Sequence, residues 1–553
     1  MPSGRQRAAP TRPRLLGRLL DRTPPHPTPP RGHDRTHRHH RIRPLWTVFR
    51  RIPLHPSAGG GLVSEETNDP AALHNPAEAE RWHRHPEPEQ PSHRDPEPKQ
   101  PSHGAPKAEG LLHNFPGAER QRGGGIFTDA DRELLLDLLA LPTAGPLEAP
   151  DGPAPRLWEA GQLVAAHARR FGFEVERHAP AEPDCLLREA VPELVRRVAV
   201  EYPDFLECQP SLVLRWGPQV SVDRTLMFNV HLDTVADLPV PEVNGTRIFG
   251  RGAIDAKGPA VALLAGLRDA LGQWCPAEAG IGVLVQLVAG EEGGAMGVFG
   301  TRPLVEAGYV GRFNVFCEPT GGQLLPRSTA AMTARIGMCG DDAIDDHPEA
   351  GHNATVLLGY LAHRLARDES RWADGARVCI AGVHTGHLHN RVYGHGELLM
   401  NIAYRDMATG NRVRDSLEKY FTAALSDFAD EFAVTPAYAR TAADARNLVT
   451  IEWLKSGLPT LNSNDPWAEA LLDGVAPWSK EPGFTCDAIW LGEVPDTYTM
   501  VFGPGDLDAN RAHAAGEFAD LRELSDYAAR ISALVGRFAA CHPSSRTQPL
   551  VNG

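Results

Sequence analysis

Five segments of this chain place histidine and carboxylate side chains beside glycines or at the ends of apolar runs. They are His231-Leu232-Asp233, residues 250–258 (GRGAIDAKG), residues 290–294 (GEEGG), residues 318–321 (EPTG), and a late stretch from Gly503-Pro504-Gly505-Asp506 through Ala512-His513 to Glu517. Taken singly, each has a plain structural reading. His231 is then a satisfied histidine at a strand end, Asp255 a turn aspartate capping a helix, and Glu291-Glu292 a solvated acidic turn. Taken together they offer two histidines, His231 and His513, and four carboxylates, Asp255, Glu291, Glu292 and Glu318, for one centre. Imidazole and carboxylate without thiolate suit zinc, cobalt or manganese. Two ions about 3.5–4 Å apart need one shared carboxylate and two further ligands each. His231, Asp255, Glu292, Glu318 and His513 meet that count and leave Glu291 as a base. Asp233 lies two residues after His231, on the same face of an extended chain, so it is placed to hydrogen-bond the imidazole.

These residues need elements that end where they stand. Residues 226–232 (LMFNVHL), 281–289 (IGVLVQLVA) and 312–317 (RFNVFC) read as buried strands. Between the first two, residues 259–274 are apolar on most faces and open with a proline tolerated in a first helical turn. Upstream, Thr128-Asp129-Ala130-Asp131 before an apolar run reads as a capped helix start, and a second helix is expected over about 157–171. Strand–helix–strand alternation predicts an α/β fold with a largely parallel sheet. The chemistry then falls at the carboxyl ends of the strands, where such sheets place their sites.

The order and wording of the five segments resemble the co-catalytic zinc aminoacylase/carboxypeptidase family, which includes acetylornithine deacetylase and succinyl-diaminopimelate desuccinylase. The resemblance runs from about residue 125 to 540. It implies that His231 and Glu318 hold one metal, that Glu292 and His513 hold the other, and that Asp255 bridges them. It also implies that Glu291 is the general base and that Asp233 supports His231. The family inserts a smaller α/β lid between the halves of its zinc-peptidase-like catalytic domain and dimerises through it. Here the resemblance implies catalytic segments 125–324 and 437–543 with a lid at 325–436. Asn390 and Arg405 resemble the lid residues that grip substrate, Arg405 with the fork that suits a carboxylate.

Two departures stand out. The lid segment that in the family reads G-x-x-A-H is Gly340-Asp341-Asp342-Ala343-Ile344 here, while Pro348, Gly351, Asn353 and Ala354 keep the spacing. The family's histidine reaches a partner subunit's site as an oxyanion donor, a task isoleucine cannot perform. His347, or one of His384, His387 and His389, is the candidate replacement. The run from Asp506 to His513 is also longer than usual.

The chain has 553 residues and a net charge of −14, which argues against a nucleic-acid-binding body. Its average conceals a division. The first 55 residues hold thirteen arginines, no lysine, two aspartates and no glutamate, a charge of +11. Twenty of the 49 prolines precede residue 111, and HPEPEQPSH recurs as DPEPKQPSH. Such a stretch lacks the apolar surface to offset its ordering entropy, so residues 1–124 are expected to form a disordered arm and 544–553 a disordered tail. The arm is read as a solvated tail rather than a nucleic-acid contact. No apolar run reaches membrane-spanning length, and the run at 15–20 is broken by Arg18, against a secretory signal. Eight scattered cysteines without a CxxC pair fit neither a disulfide framework nor a cysteine zinc site, and the compartment expected is the cytoplasm.

The expected activity is removal of an acyl group from an N-acyl amino acid by a dinuclear metallohydrolase that works as a homodimer. The alternatives are a dipeptidase or carboxypeptidase of the same family acting on a short peptide, and a metal-binding or sensing homologue of low activity, the latter motivated by Ile344.

Overall fold

The computed structural model describes residues 126–272, 274–275 and 279–542. The expected arm and tail lie outside these residues.

The helix expected after Thr128 forms over Asp129–Leu139, and the next over Leu157–Arg169. The three buried strands form over Thr225–His231, Gly282–Val288 and Phe313–Phe316. They belong to a six-stranded sheet whose order is Glu174–Ala179, Ser211–Trp216, Gly282–Val288, Thr225–His231, Phe313–Phe316, Tyr498–Val501. The last four strands run parallel, whereas the first two pair antiparallel with their neighbours. Thr225–His231 is therefore flanked by strands that follow it in sequence on both sides. That is a topological switch point, where the loops leaving the strands diverge and open a crevice.

The helix Lys257–Leu271 is buried on nearly every face. It packs against Leu521–Ala540, and at Gly266 a Cβ would lie 2.5 Å from the Ala528 carbonyl oxygen, so only glycine allows this approach. On its other side the helix is tied to the first. Arg268 donates to both carboxylate oxygens of Asp131, and Lys257 Nζ donates to the Leu138 and Leu141 carbonyls at 3.0 and 3.1 Å. Burial lowers the Lys257 ammonium to about 7.

A second, antiparallel sheet has the order Ala376–His384, His395–Tyr404, Ala330–Cys339, Val449–Lys455. Its core is built with the helices Ala354–Arg367 and Met407–Phe432: Leu357, Leu361, Val413 and Phe421 join Met332, Ile336, Leu398 and Ile402. The sheet takes its fourth strand from beyond residue 436, the expected end of the lid. Ala439–Leu448 is a helix, and Val449 then pairs with Met338. A strand that returns to a sheet across more than a hundred residues leaves no local mark of its membership. Among the described residues, no helix is long and apolar enough to cross a membrane.

Candidate metal centre

The strand Thr225–His231 ends on His231, which is 1% exposed. Its Nδ1 lies 2.9 Å from the backbone carbonyl of Asp233. A carbonyl only accepts, so Nδ1 carries a proton and Nε2 is the atom that faces the acidic groups. Nε2 stands 2.8 Å from Asp255 Oδ1 and 3.7 Å from Glu318 Oε2. Asp233 meets the ring through its backbone rather than the expected carboxylate. Its carboxylate oxygen Oδ1 is 3.7 Å from Nδ1, outside hydrogen-bond reach, and is buried without a partner. Oδ2 instead accepts from the Glu292 backbone N–H at 3.1 Å. Asp233 thus orients His231 through its main chain and holds the acidic loop through its side chain.

The acidic loop follows Val288. Gly290, Gly293, Gly294 and Gly297 all have φ between +65° and +76°, which a loop this tight requires. Glu292 Oε1 meets His513 Nε2 at 3.0 Å, and the same nitrogen is 3.0 Å from Asp255 Oδ2. His513 is reached from the far end of the chain, on a loop where its own φ is +61°. Asp255 therefore faces His231 with one oxygen and His513 with the other.

Three overlapping groups have ligand atoms all within 4.8 Å of one another: His231 with Asp255 and Glu318, Asp255 with Glu292 and His513, and His231 with Glu291 and Glu292. The structure thus brings together all six side chains singled out as ligands and base. The electrostatics follow from crowding acids in a buried space. Burial raises the Glu291 carboxyl well above its usual range, with Glu292 adding to the effect. Burial likewise raises Glu292 to about 7, against the lowering effect of His513, and raises Glu318. His513 is raised to about 10 by its bonds to Asp255 and Glu292. His231 is held well above its usual value: burial opposes its charge, but Glu318 and Asp255 outweigh that. Asp255 is lowered despite burial because both histidines bond to it.

The donor set fits a pair of divalent ions. Each of two groups offers one imidazole nitrogen and two carboxylates, Asp255 is common to both, and no thiolate is present. The raised glutamates are short of positive charge, and a cation in each group is what would hold them ionised.

The two residues expected on a lid are placed differently. Asn390 is exposed. Arg405 is also exposed and, with Arg377, Thr329 and Gly483, lines a cavity of about 220 Å³. Among the described residues neither arginine side chain has a hydrogen bond or ion pair to the six clustered residues. Ile344 pairs with Arg391 in a two-residue ribbon and is 56% exposed. His347 is exposed beside Glu349, 3.6 Å away. Sequence reasoning assigned no task to two buried residues, Arg251 and Asp487. Arg251 stood in the glycine-flanked segment 250–258, which was a signal, whereas Asp487 carried none.

The sequence model of Peptidase family M20/M25/M40 matches residues 227–537, and the chain belongs to that family. Among curated relatives, a LysW-lysine/LysW-ornithine hydrolase of Sulfurisphaera tokodaii is 36% identical over 95 residues, 17% of this chain and 25% of the relative. A succinyl-diaminopimelate desuccinylase of Gluconobacter oxydans is 28% identical over 182 residues, 30% of this chain and 46% of the relative. The chain thus aligns with less than half of these relatives' lengths. Among solved structures, the metallo-carboxypeptidase Sso-CP2 from Sulfolobus solfataricus superposes with a TM-score of 0.53 at 12% identity, covering 75% of this chain and 100% of that one. The di-peptidase Dug1p from Saccharomyces cerevisiae gives 0.54 at 11%, covering 75% and 96%. These likenesses show the fold.

Proposed function

We propose that this chain is a dinuclear metallohydrolase that removes an acyl group from an N-acyl amino acid. The observation that carries the reading is Asp255, shared between two three-residue donor groups with Glu291 beside them. His231, Asp255 and Glu318 would hold one ion, and Asp255, Glu292 and His513 the other, with zinc favoured and cobalt or manganese suited to the same donors. Two such ions, when bound, supply Lewis-acid polarisation of a carbonyl and acidify a water. Glu291 takes a proton from the attacking water on a carboxylate oxygen and returns it to the departing amine nitrogen. Asp233 keeps Nε2 of His231 turned toward the centre and holds the Glu292 backbone.

Arg377 and Arg405 support an anionic substrate group, since among the described residues neither side chain has an ion pair and none of those lining their shared cavity is acidic. Two of the similar proteins above carry the names LysW-lysine/LysW-ornithine hydrolase and succinyl-diaminopimelate desuccinylase, which favours deacylation over dipeptide cleavage. The division into a catalytic body and an inserted lid that carries a homodimer contact is part of this proposal. So is a cytoplasmic setting, supported by eight cysteines that are all free. The test is amine release from a panel of N-acyl amino acids and dipeptides, read by mass spectrometry with metal content measured on the same sample. Release from N-acyl amino acids before dipeptides supports the reading, and release from neither, with metal bound, refutes it in favour of a binding protein.

A further inference from the structure

Glu517 is 3% exposed, lies four residues beyond His513, and has every carboxylate contact directed at the segment that carries Asp255. Its Oε1 accepts from the backbone N–H groups of Ile254 at 3.1 Å and Asp255 at 3.3 Å. Its Oε2 accepts from Arg251 at 2.6 Å, and its backbone carbonyl accepts from Gly250 at 3.1 Å. Arg251, 4% exposed, donates its Nε to the Ala236 carbonyl at 3.1 Å, just past the loop that begins at His231. Phe518–Asp520 continues the contact by pairing with Arg247–Phe249. The three stretches of chain that carry His231, Asp255 and His513 are therefore joined through one buried ion pair.

We propose that Arg251 and Glu517 form a positioning clamp that sets the spacing of His231, Asp255 and His513 before metal arrives. The physical need is specific. Asp255 serves both donor groups, so a shift of its backbone loosens both. His513 holds a left-handed backbone conformation that is uncommon outside glycine and costs energy unless the surroundings hold it. A carboxylate that accepts from the N–H of Asp255 itself fixes the first, and the short chain from Glu517 back to His513 restrains the second. Partners of this kind behind metal ligands typically change metal affinity or activity by about 10–100-fold when removed.

The inference rests on the metal reading of the site, and its test separates the two. The full-length protein is stripped with a chelator and titrated with zinc by calorimetry, and the cobalt-loaded protein is followed by its visible absorption. Wild type binding no zinc overturns the metal reading and this inference with it. With wild type binding two equivalents, Glu517→Gln is expected to fold, to bind about 10–100-fold more weakly and to show an altered cobalt spectrum, because glutamine turns an N–H toward Arg251 and opens the clamp. Wild-type affinity and spectrum in folded Glu517→Gln overturn the clamp, even if the melting temperature falls, since a merely structural ion pair would move stability alone. Should Glu517→Gln fail to fold, Arg251→Lys decides. Lysine keeps the charge opposite Glu517 but cannot also hold the Ala236 carbonyl. Weakened zinc binding in that variant supports the clamp, and wild-type binding overturns it.

Discussion

Replacing Asp131 with alanine should destabilise the folded chain by about 3–5 kcal/mol, the usual cost of breaking one side of a buried ion pair. Asp131 is 0% exposed and accepts from four directions. Arg268 bonds both oxygens at 2.5 and 2.8 Å, His167 Nε2 lies 3.1 Å from Oδ1, and Thr128 donates its N–H and hydroxyl to Oδ2 at 2.7 Å each. Alanine leaves a guanidinium that is only 28% exposed and a buried imidazole without their acceptor. The loss also reaches the site, because Arg268 stands on the helix that starts two residues after Asp255. The pH dependence has a definite sign. Burial alone would raise the Asp131 carboxyl, but His167 and Arg268 lower it far below the ordinary carboxylate range. Its contribution is then fully present above an unfolded value of about 3.9 and is lost as pH falls below that, toward the folded value. Urea melts of wild type and Asp131→Ala should differ by a constant amount from pH 6 to 8, roughly two pH units and more above that unfolded value, and converge in acid. A difference under about 1 kcal/mol at neutral pH, the range of exposed pairs, or one that grows on acidification, would refute this reasoning.

Three further outcomes follow from the proposed roles. Glu291→Gln should lower kcat by about 10²–10⁴-fold with metal content unchanged, measured by turnover and elemental analysis of one preparation. Arg405→Ala and Arg377→Ala should each raise KM for substrates with an anionic acyl group and leave kcat nearly constant, which steady-state kinetics on charged and neutral acyl series will show. His347→Ala should be neutral, since that side chain is exposed and its one ion pair among the described residues is to Glu349, whereas Ile344→His should raise kcat, by up to about 10²-fold if it restores an oxyanion donor.

What the sequence revealed and what it hid have physical causes. The strand expected over 226–232 forms over Thr225–His231, because a continuous apolar run bounded by polar residues has few alternatives. Five of the six clustered acids and histidines were legible because each ends or follows a strand or sits between glycines, whereas His513 was legible only through the late segment that resembles the family's. Asp233 was legible in place but not in contact. Its side-chain direction depends on a backbone turn toward Glu292 that no spacing rule encodes. The strand Val449–Lys455 was missed as part of the second sheet because its partner, Ala330–Cys339, is remote in sequence. Arg251 and Glu517 lay inside recognised segments, yet their pairing joins residues 266 positions apart. The tasks of Asn390 and Arg405 came from resemblance, and no hydrogen bond or ion pair among the described residues connects either to the clustered acids.

The central claim is that Asp255 is the shared ligand of a two-ion centre. The most direct measurement is zinc stoichiometry on chelator-stripped, full-length protein, wild type beside Asp255→Ala and Glu318→Ala. The account predicts two equivalents for wild type, one tight equivalent for Glu318→Ala, and loss of tight binding at both sites in Asp255→Ala while the fold is retained by circular dichroism. A wild type that binds one equivalent or none, or an Asp255→Ala variant that keeps two tight equivalents, would contradict it.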